Sequence, residues 1–147
     1  MKIERIHVAQ VAAVAPLFNE YRMFYEQESD MAGAEQFLYE RLQRQESIIF
    51  VAIVDEEYVG FTQLYPTFSS VAMKKAYILN DLFVRQAARR QGVAENLMAR
   101  AFDYVKEQDA RFLKLETAVT NGNAQALYEK MGMVVEAEMK NYIMYWS

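Results

Sequence analysis

Residues 77–100 constrain the fold more than any other part of the chain. Residues 77–84 are apolar or aromatic on both faces of an extended backbone except at Asn80 and Asp81, which break the run, and this pattern is typical of a central strand covered on both sides. A loop with three arginines and Gly92 comes next. From Val93 onward, apolar residues recur on one face at helical spacing, which predicts an amphipathic helix. The stretch therefore predicts a strand, a basic turn and a helix start in direct succession.

The start of this helix suits an anion. The first N–H groups of a helix lack partners and carry the positive end of its dipole, so a phosphate can accept hydrogen bonds from them. Gly92 lets a bulky anion approach the backbone, and Arg89 and Arg90 add mobile positive charge. An ordinary surface turn with solvated arginines has the same pattern, so spacing alone leaves both interpretations open.

The other segments predict an α+β fold with helices on both faces of a mixed sheet. An apolar run at 48–54 and its return at 58–65 form a hairpin. The strand, helix, strand order from 77 to 119 predicts one parallel pair with a right-handed crossover, within a mostly antiparallel sheet of about six to seven strands. The remaining predicted elements are strands at 2–6, 133–138 and 140–146, a helix that includes Val11 to Tyr25 and kinks or begins near Pro16, and helices at 33–45, 93–108 and from Asn121 to Gly132.

Composition narrows the class of protein. The chain has 147 residues, 53% of them hydrophobic, which suits one compact domain over residues 1–147. It has no cysteine, which excludes disulfides and a cysteine nucleophile and fits a cytoplasmic protein. His7 is the single histidine, so a metal site has no support. No apolar run approaches a membrane span, and the net charge of −4 disfavours a nucleic-acid partner.

Two motifs lie on either side of the strand predicted at 112–119. The first is Arg89-x-x-Gly92-x-Ala94, and the second is Asn121-x-x-Ala124-x-x-Leu127-Tyr128-x-x-x-Gly132. In this order they resemble the two signatures of the GNAT superfamily, the acetyl-coenzyme A-dependent N-acetyltransferases. The resemblance covers the chain from its first strand to its last, and it is closest to the small-amine branch that includes diamine acetyltransferases.

The resemblance implies how this chain would hold acetyl-coenzyme A. The strand end at 82–84 would bind the pantetheine arm through its backbone, residues 89–95 would hold the pyrophosphate, and Asn121 and Ala124 would border the pantetheine. Backbone binding of this kind needs a strand edge that is left unpaired where it splays from its neighbour, often at a bulge. The implied coenzyme-binding residues are Leu82, Phe83, Val84, Arg89, Arg90, Gln91, Gly92, Val93, Ala94, Glu95, Asn121, Ala124 and Tyr128.

The chemistry requires an amine to attack a thioester. Without a cysteine, direct transfer in a ternary complex is favoured over an acyl-enzyme. Tyr128 would donate a proton to the leaving sulfur, and an N–H near Leu82 or Phe83 would stabilise the oxyanion. Asp81 is the nearest acid and the candidate base, because Asn80 stands where diamine acetyltransferases carry a glutamate. Glu28 and Glu116 are lesser candidates for the base, and Tyr21, Tyr25, Asn80 and Asp81 are the predicted substrate contacts.

Three functions remain open at this point. The first is acetylation of a small primary amine such as a polyamine or an amino-acid-like compound, and the second is acetylation of a peptide or protein. The third is an acyl-coenzyme A sensor without turnover, which the lack of a carboxylate at Asn80 favours slightly. Residues 142–146 are strongly aromatic and suggest a homodimer contact, although an ordinary buried strand explains them nearly as well.

Overall fold

The computed structural model describes residues 1–147, which form two compact units, Met1–Glu116 and Thr117–Ser147. The first unit contains five strands and three helices, and the second contains one helix. Short 3-10 turns occur at Val8–Gln10 and Gln86–Ala88. In chain order the elements are β1 Lys2–Arg5, α1 Val11–Phe24, α2 Met31–Gln43, β2 Ile48–Val54, β3 Glu57–Ser69, β4 Lys74–Val84, α3 Val93–Glu107, β5 Leu113–Lys114 and α4 Gly122–Lys130.

The strands form one mixed sheet in the order β1-β2-β3-β4-β5. The first four strands pair antiparallel, and β4 and β5 pair parallel across the α3 crossover. This confirms the α+β fold and the predicted parallel pair. The sheet has five strands, fewer than the six to seven that we predicted.

The missing strands lie in the second unit. Residues 133–138 and 140–146 form no strand, and their one regular feature is a turn at residues 137–138. The strand predicted at 112–119 is also shorter, since only Leu113–Lys114 pairs. A β-branched and aromatic sequence favours a strand, but the backbone becomes one only where a neighbouring strand accepts its hydrogen bonds.

Helices cover both faces of the sheet in the first unit, as predicted. On one face the ring of Phe18 in α1 meets the buried Phe61 of β3, with ring centroids 6.0 Å apart. On the other face α3 packs against Gly60, where an added Cβ would lie 3.2 Å from Val93 Cγ1 and 3.3 Å from Leu97 Cδ1. The absence of a side chain at Gly60 therefore lets α3 approach the strands that carry the site.

Local side-chain contacts fix the two helices on the first face. The α1 helix continues through Pro16, so the proline neither breaks it nor begins it. The Asp30 carboxylate caps α2 by accepting from the N–H of Gly33 at 2.9 Å. Asn19, buried on α1, accepts from the N–H of Asp30 at 2.9 Å and so ties the end of one helix to the start of the next.

The second unit is organised by α4. The side chain of Asn121 accepts from the N–H of Ala124 at 3.2 Å and caps the helix, and Gly132 follows its end with a φ of 99°. Both boundaries were predicted from the sequence. None of the helices in the protein combines the length and the apolar character needed to cross a membrane.

Candidate active site

The sheet opens beside a bulge in β4. Gln63 of β3 pairs with Asp81, but Leu64 pairs with Leu79, so Asn80 is an extra residue in the ladder. On its other side β4 pairs with β5 only at Tyr77 and Ile78. Residues 79–84 therefore have β3 on one side and no strand of the sheet on the other, and we call this the open edge.

The register shows which backbone groups point to the open edge. The N–H of Arg85 donates to the carbonyl of Val59 at 2.8 Å and so points toward β3. Because neighbouring residues in a strand alternate direction, Phe83 also points toward β3, while Leu82 and Val84 point outward. The N–H groups of Leu82 and Val84 can therefore bind an extended ligand, and the register favours Leu82 over Phe83 as an oxyanion donor.

The three arginines of the loop have different surroundings. Arg85 forms a bidentate ion pair with Glu20, with Nη2 and Oε2 2.6 Å apart. Arg89 donates to the carbonyl of Val84 at 2.8 Å, and its guanidinium lies 5.5 Å from the ring centroid of Phe24. The expectation that Arg89 carries mobile charge was wrong, because these contacts anchor it.

Arg90 has the mobile positive charge that we expected of both Arg89 and Arg90. Its side chain is exposed, it takes part in none of the side-chain hydrogen bonds or ion pairs, and its φ is 64°. An exposed guanidinium at this position is available to a phosphate. The neighbouring Gln91 is also exposed and donates to the carbonyl of Ala87 at 3.4 Å.

The N-terminus of α3 fits a pyrophosphate. Gly92 occupies the N-cap with a φ of 77°, and no side chain caps the helix. Any other residue at Gly92 would be strained by this φ. No capping side chain covers the N–H groups of Val93 and Ala94, which lie at the positive end of the helix dipole. Glu95 lies in the first turn, so its contribution to an anion site would come from its backbone.

Asp81 is held in a buried cluster of polar side chains. It is 4% exposed, and its carboxylate accepts from Gln63 Nε2 at 2.5 Å, from Asn80 Nδ2 at 3.1 Å and from the hydroxyl of Tyr21. Gln63 is itself fixed, because its Oε1 accepts from the buried Ser47 hydroxyl at 2.7 Å. This contact turns the amide NH₂ of Gln63 toward Asp81.

Burial raises the pKa of Asp81 above its usual range, although the hydrogen bonds from Gln63, Tyr21 and Asn80 act in the opposite direction. Burial and the charge of Asp81 also raise the pKa of Tyr21, and the same two causes raise the pKa of Tyr65 to about 12. Both tyrosines therefore remain protonated at neutral pH. A carboxylate with a raised pKa is a stronger proton acceptor than an exposed one, which suits a general base.

The raised pKa of Asp81 predicts how stability depends on pH. The folded state holds the carboxyl proton more tightly than the unfolded chain, so this group stabilises the fold at acidic pH. That contribution is lost as the pH rises above the ordinary aspartate pKa of about 3.9 and through the raised value. We expect Asp81→Asn to remove this loss, so that Tm falls less between pH 4 and pH 8 than in the wild type. Each kcal/mol of change in the free energy of unfolding would shift Tm by about 2–4 °C. If plots of Tm against pH are parallel for the wild type and Asp81→Asn, Asp81 does not titrate as described.

The predicted substrate contacts only partly converge. Tyr21 is half-buried and touches Asp81, with its ring 5.8 Å from that of Phe83, whereas Tyr25 is 57% exposed and reaches the cluster through Tyr21. Asn80 is exposed at the bulge. Asn121, Ala124 and Tyr128 belong to the second unit, where Asn121 caps α4 and Tyr128 is half-buried.

Three polar residues of the Asp81 cluster were not identified from the sequence, namely Ser47, Gln63 and Tyr65. Gln63 carried a usable signal in the sequence, since it is the one amide side chain between Val59 and Leu64 of β3, where Thr62 is the only other polar residue. In the structure Gln63 is completely buried. The lesser candidates for the base, Glu28 and Glu116, are both exposed and lie outside this cluster.

Comparison with known proteins identifies the fold as that of an acetyltransferase. A solved structure described as a probable acetyltransferase is 41% identical, covers 100% of this chain and 99% of its own, and superimposes with a TM-score of 0.95. The uncharacterized N-acetyltransferase YhfO of Bacillus subtilis is 48% identical over 97% of this chain and 95% of its own length. N-alpha-acetyltransferase 30 of Homo sapiens is 33% identical over 65% of this chain and 26% of its own length.

The family described as the acetyltransferase (GNAT) family matches residues 14–133. The chain belongs to this family. It is an acetyltransferase of the GNAT kind, which uses acetyl-coenzyme A as the acetyl donor, and this supports an enzyme over a coenzyme sensor.

Proposed function

We propose that the protein transfers the acetyl group to the primary amine of a small molecule and that Asp81 accepts the proton of that amine. The observation that carries the proposal is the buried Asp81 carboxylate beside the open edge, held by Gln63 and Tyr21. An alkyl amine is mostly an ammonium ion at neutral pH. Aromatic rings and a carboxylate together favour such a cation, and the carboxylate can remove its proton.

The donor would lie along the open edge. The N–H groups of Leu82 and Val84 and the carbonyl of Leu82 would pair with the amides of the pantetheine arm as a neighbouring strand would. Residues 89–95 would hold the pyrophosphate, with Arg90 as the mobile cation and the α3 N-terminus as the fixed dipole. Asn121 and Ala124 would border the pantetheine, as the family resemblance implies.

Each residue then has one role in a direct transfer. Asp81 takes a proton from the substrate ammonium through water, and the neutral amine attacks the thioester carbonyl. The N–H of Leu82 donates to the oxygen on which negative charge develops. Tyr128 donates its hydroxyl proton to the sulfur as the carbon–sulfur bond breaks, so that coenzyme A leaves as a thiol. The Tyr128 phenolate then recovers a proton from the new amide nitrogen, which must lose its second proton to become neutral.

The phosphate role of Arg90 can be tested by charge reversal. We expect Arg90→Glu to weaken coenzyme A binding about 10- to 100-fold, because a charge-assisted hydrogen bond is lost and a repulsive charge is added. Binding of pantetheine, which lacks the phosphates, should barely change. Isothermal titration calorimetry measures both affinities.

Arg44→Glu is the matched control, because Arg44 is also exposed and lies just after α2. It changes the net charge equally and should leave coenzyme A affinity unchanged. Equal losses for coenzyme A and pantetheine in Arg90→Glu would show that Arg90 does not bind phosphate.

The substrate class is tested by following thiol release from acetyl-coenzyme A with different acceptors. One set contains polyamines, amino acids and simple alkyl amines, and the other contains short peptides with free N-termini. We expect release with members of the first set at millimolar concentration or below. Release with peptides alone would refute the small-amine proposal.

A second candidate is acetylation of a peptide N-terminus. It is supported by the 33% identity to N-alpha-acetyltransferase 30 of Homo sapiens. An α-amine is less basic than an alkyl amine, with a pKa near 8 compared with about 10.4, so it needs a weaker base.

A further inference from the structure

A cavity of about 540 Å³ lies at one end of the sheet in the first unit. All of its lining residues belong to that unit. The buried part of its wall consists of Ser47, Ile48, Tyr77 and Tyr104. Pockets that bind small molecules usually measure about 300–1,000 Å³, so the cavity is large enough for one.

The cavity is distinct from the candidate active site. It touches β4 at Lys75 and Tyr77, before the open edge begins at residue 79. It touches the chain just after the C-terminal end of α3 at Gln108, whereas the pyrophosphate is proposed to bind at the N-terminal end of the same helix. Gln108 follows Gly92 by 16 residues, which at about 1.5 Å for each residue corresponds to about 24 Å. A molecule in the cavity and the donor would therefore bind in separate places.

The charged side chains around the cavity are all basic. Arg5, His7 and Lys75 line it, and no aspartate or glutamate does. The whole chain has 20 acidic residues and 16 lysines and arginines, so its composition does not predict a lining without an acid. A ligand with an ammonium group would find no counter-ion here, whereas a carboxylate would find charged hydrogen-bond donors.

The two permanent cations are available to a ligand. Arg5 is exposed and takes part in none of the ion pairs or side-chain hydrogen bonds, and its guanidinium lies 5.2 Å from the ring centroid of Tyr104. Lys75 is exposed and donates to Gln108 Oε1 at 3.2 Å. An ammonium group has three hydrogens, so Lys75 keeps donors for a second partner.

The remaining wall suits the carbon body of such a ligand. The rings of Tyr77 and Tyr104 meet edge to face, with centroids 5.6 Å apart, and Ile48 and Pro66 add apolar surface. Apolar and aromatic walls with a few placed polar groups are typical of small-molecule sites.

One buried side chain connects the cavity with Asp81. Ser47 lines the cavity, and its hydroxyl donates to Gln63 Oε1 at 2.7 Å. That bond turns the NH₂ of Gln63 toward the Asp81 carboxylate, which accepts from it at 2.5 Å. If a carboxylate in the cavity accepts from Ser47 instead, Gln63 loses the contact that orients it, and Asp81 loses a fixed donor.

We propose that this cavity is an effector site that binds a small organic carboxylate and that its occupation slows acetyl transfer. Arg5 and Lys75 hold the carboxylate, and the two tyrosine rings contact its carbon body. Ser47 and Gln63 carry the effect to Asp81. The effect on rate rests on the proposed role of Asp81, whereas binding does not.

The first test measures binding by NMR titration of the full chain with glutarate, phenylacetate and phthalate. We expect saturable shifts of amides near Ser47 and Lys75 with at least one of them, with a dissociation constant of about 1 mM or below. The neutral phenylacetamide should bind more weakly than phenylacetate. Arg5→Gln and Lys75→Gln should each raise the dissociation constant about 5- to 50-fold, because a charge-assisted hydrogen bond is lost.

Lys2→Gln is the matched control for these substitutions, since Lys2 is exposed on the same strand as Arg5 and does not line the cavity. It should leave the affinity unchanged. Absence of saturable shifts with all three carboxylates overturns the proposal, as does equal affinity in the wild type and both cavity variants.

The second test follows thiol release with a small primary amine. A saturating carboxylate should lower kcat about fivefold or more and leave the KM for acetyl-coenzyme A unchanged. Lys75→Gln should keep the basal kcat and need at least about fivefold more carboxylate for half of this effect. An unchanged kcat, or a rise in that KM alone, overturns the effector role. A protein that acetylates no small amine contradicts the proposed function, and the titration still decides whether the site exists.

Discussion

Replacing Asp81 by asparagine is expected to lower kcat with a small primary amine by about 10²- to 10⁴-fold at neutral pH, the usual contribution of a positioned general base. Asparagine has nearly the same shape, but its amide cannot accept a proton from an ammonium. The KM for acetyl-coenzyme A should change little, because the donor is held by backbone groups of the open edge and by the loop before α3. Steady-state kinetics with thiol detection measures both constants.

Asn80→Ala is the control for this substitution. Asn80 is next to Asp81 and donates to its carboxylate at 3.1 Å, but it is exposed and cannot act as a base. We expect a loss of about tenfold or less for Asn80→Ala, since one of several hydrogen bonds to the carboxylate is removed. Unchanged kcat in Asp81→Asn would show that the proton leaves by another route.

The pH profile separates a base from a merely structural carboxylate. In the wild type the rate should fall on the acidic side as Asp81 becomes protonated, and because burial raises the pKa of Asp81 this fall should lie above the ordinary aspartate range near 3.9. The residual activity of Asp81→Asn should not show the fall in rate that protonation of Asp81 causes on the acidic side. The substrate amine titrates in both proteins and cancels from the comparison.

Tyr128→Phe should lower kcat about 10²-fold or more while the dissociation constant for coenzyme A changes less than about threefold. The substitution removes the hydroxyl that protonates the leaving sulfur and keeps the ring that packs against its surroundings. Steady-state kinetics and calorimetry on the same preparation measure the two effects. The combination of a large kcat effect and a small binding effect identifies a proton donor.

Tyr39→Phe provides a matched control, because Tyr39 lies on α2 and is 46% exposed. Its kcat should equal that of the wild type. If Tyr128→Phe has normal turnover, or loses coenzyme affinity in proportion to its rate, Tyr128 is not the acid.

The parts of the fold that were predicted well depend on local patterns. The strand at Ile48–Val54 and the helix from Val93 were placed at or close to their observed bounds, because apolar periodicity and turn residues are properties of the segment itself. The strands expected after Gly132 depend on a partner for their backbone groups. The sequence of residues 133–147 carries strand propensity but does not specify that partner, so the prediction failed there.

The site shows the same division between local and tertiary information. Gly92 was identified from the sequence because a glycine in a basic loop before a helix lets an anion approach the backbone, and the structure adds that its φ is 77°. The anchoring of Arg89 was not predicted, because its guanidinium is held by Phe24, which lies 65 positions earlier in the chain, on α1. The contact of Gln63 with Asp81 likewise joins two strands through their register, which a single sequence does not specify.

The central claim is that the open edge of β4 receives the donor beside Asp81. A crystal structure of the protein with acetyl-coenzyme A and an unreactive analogue of the amine tests it most directly. We predict that the thioester oxygen accepts from the N–H of Leu82 at about 2.7–3.2 Å and that the amine analogue lies within one water molecule of the Asp81 carboxylate. A donor bound elsewhere, or a protein segment paired with the N–H groups of Leu82 and Val84, would contradict the account.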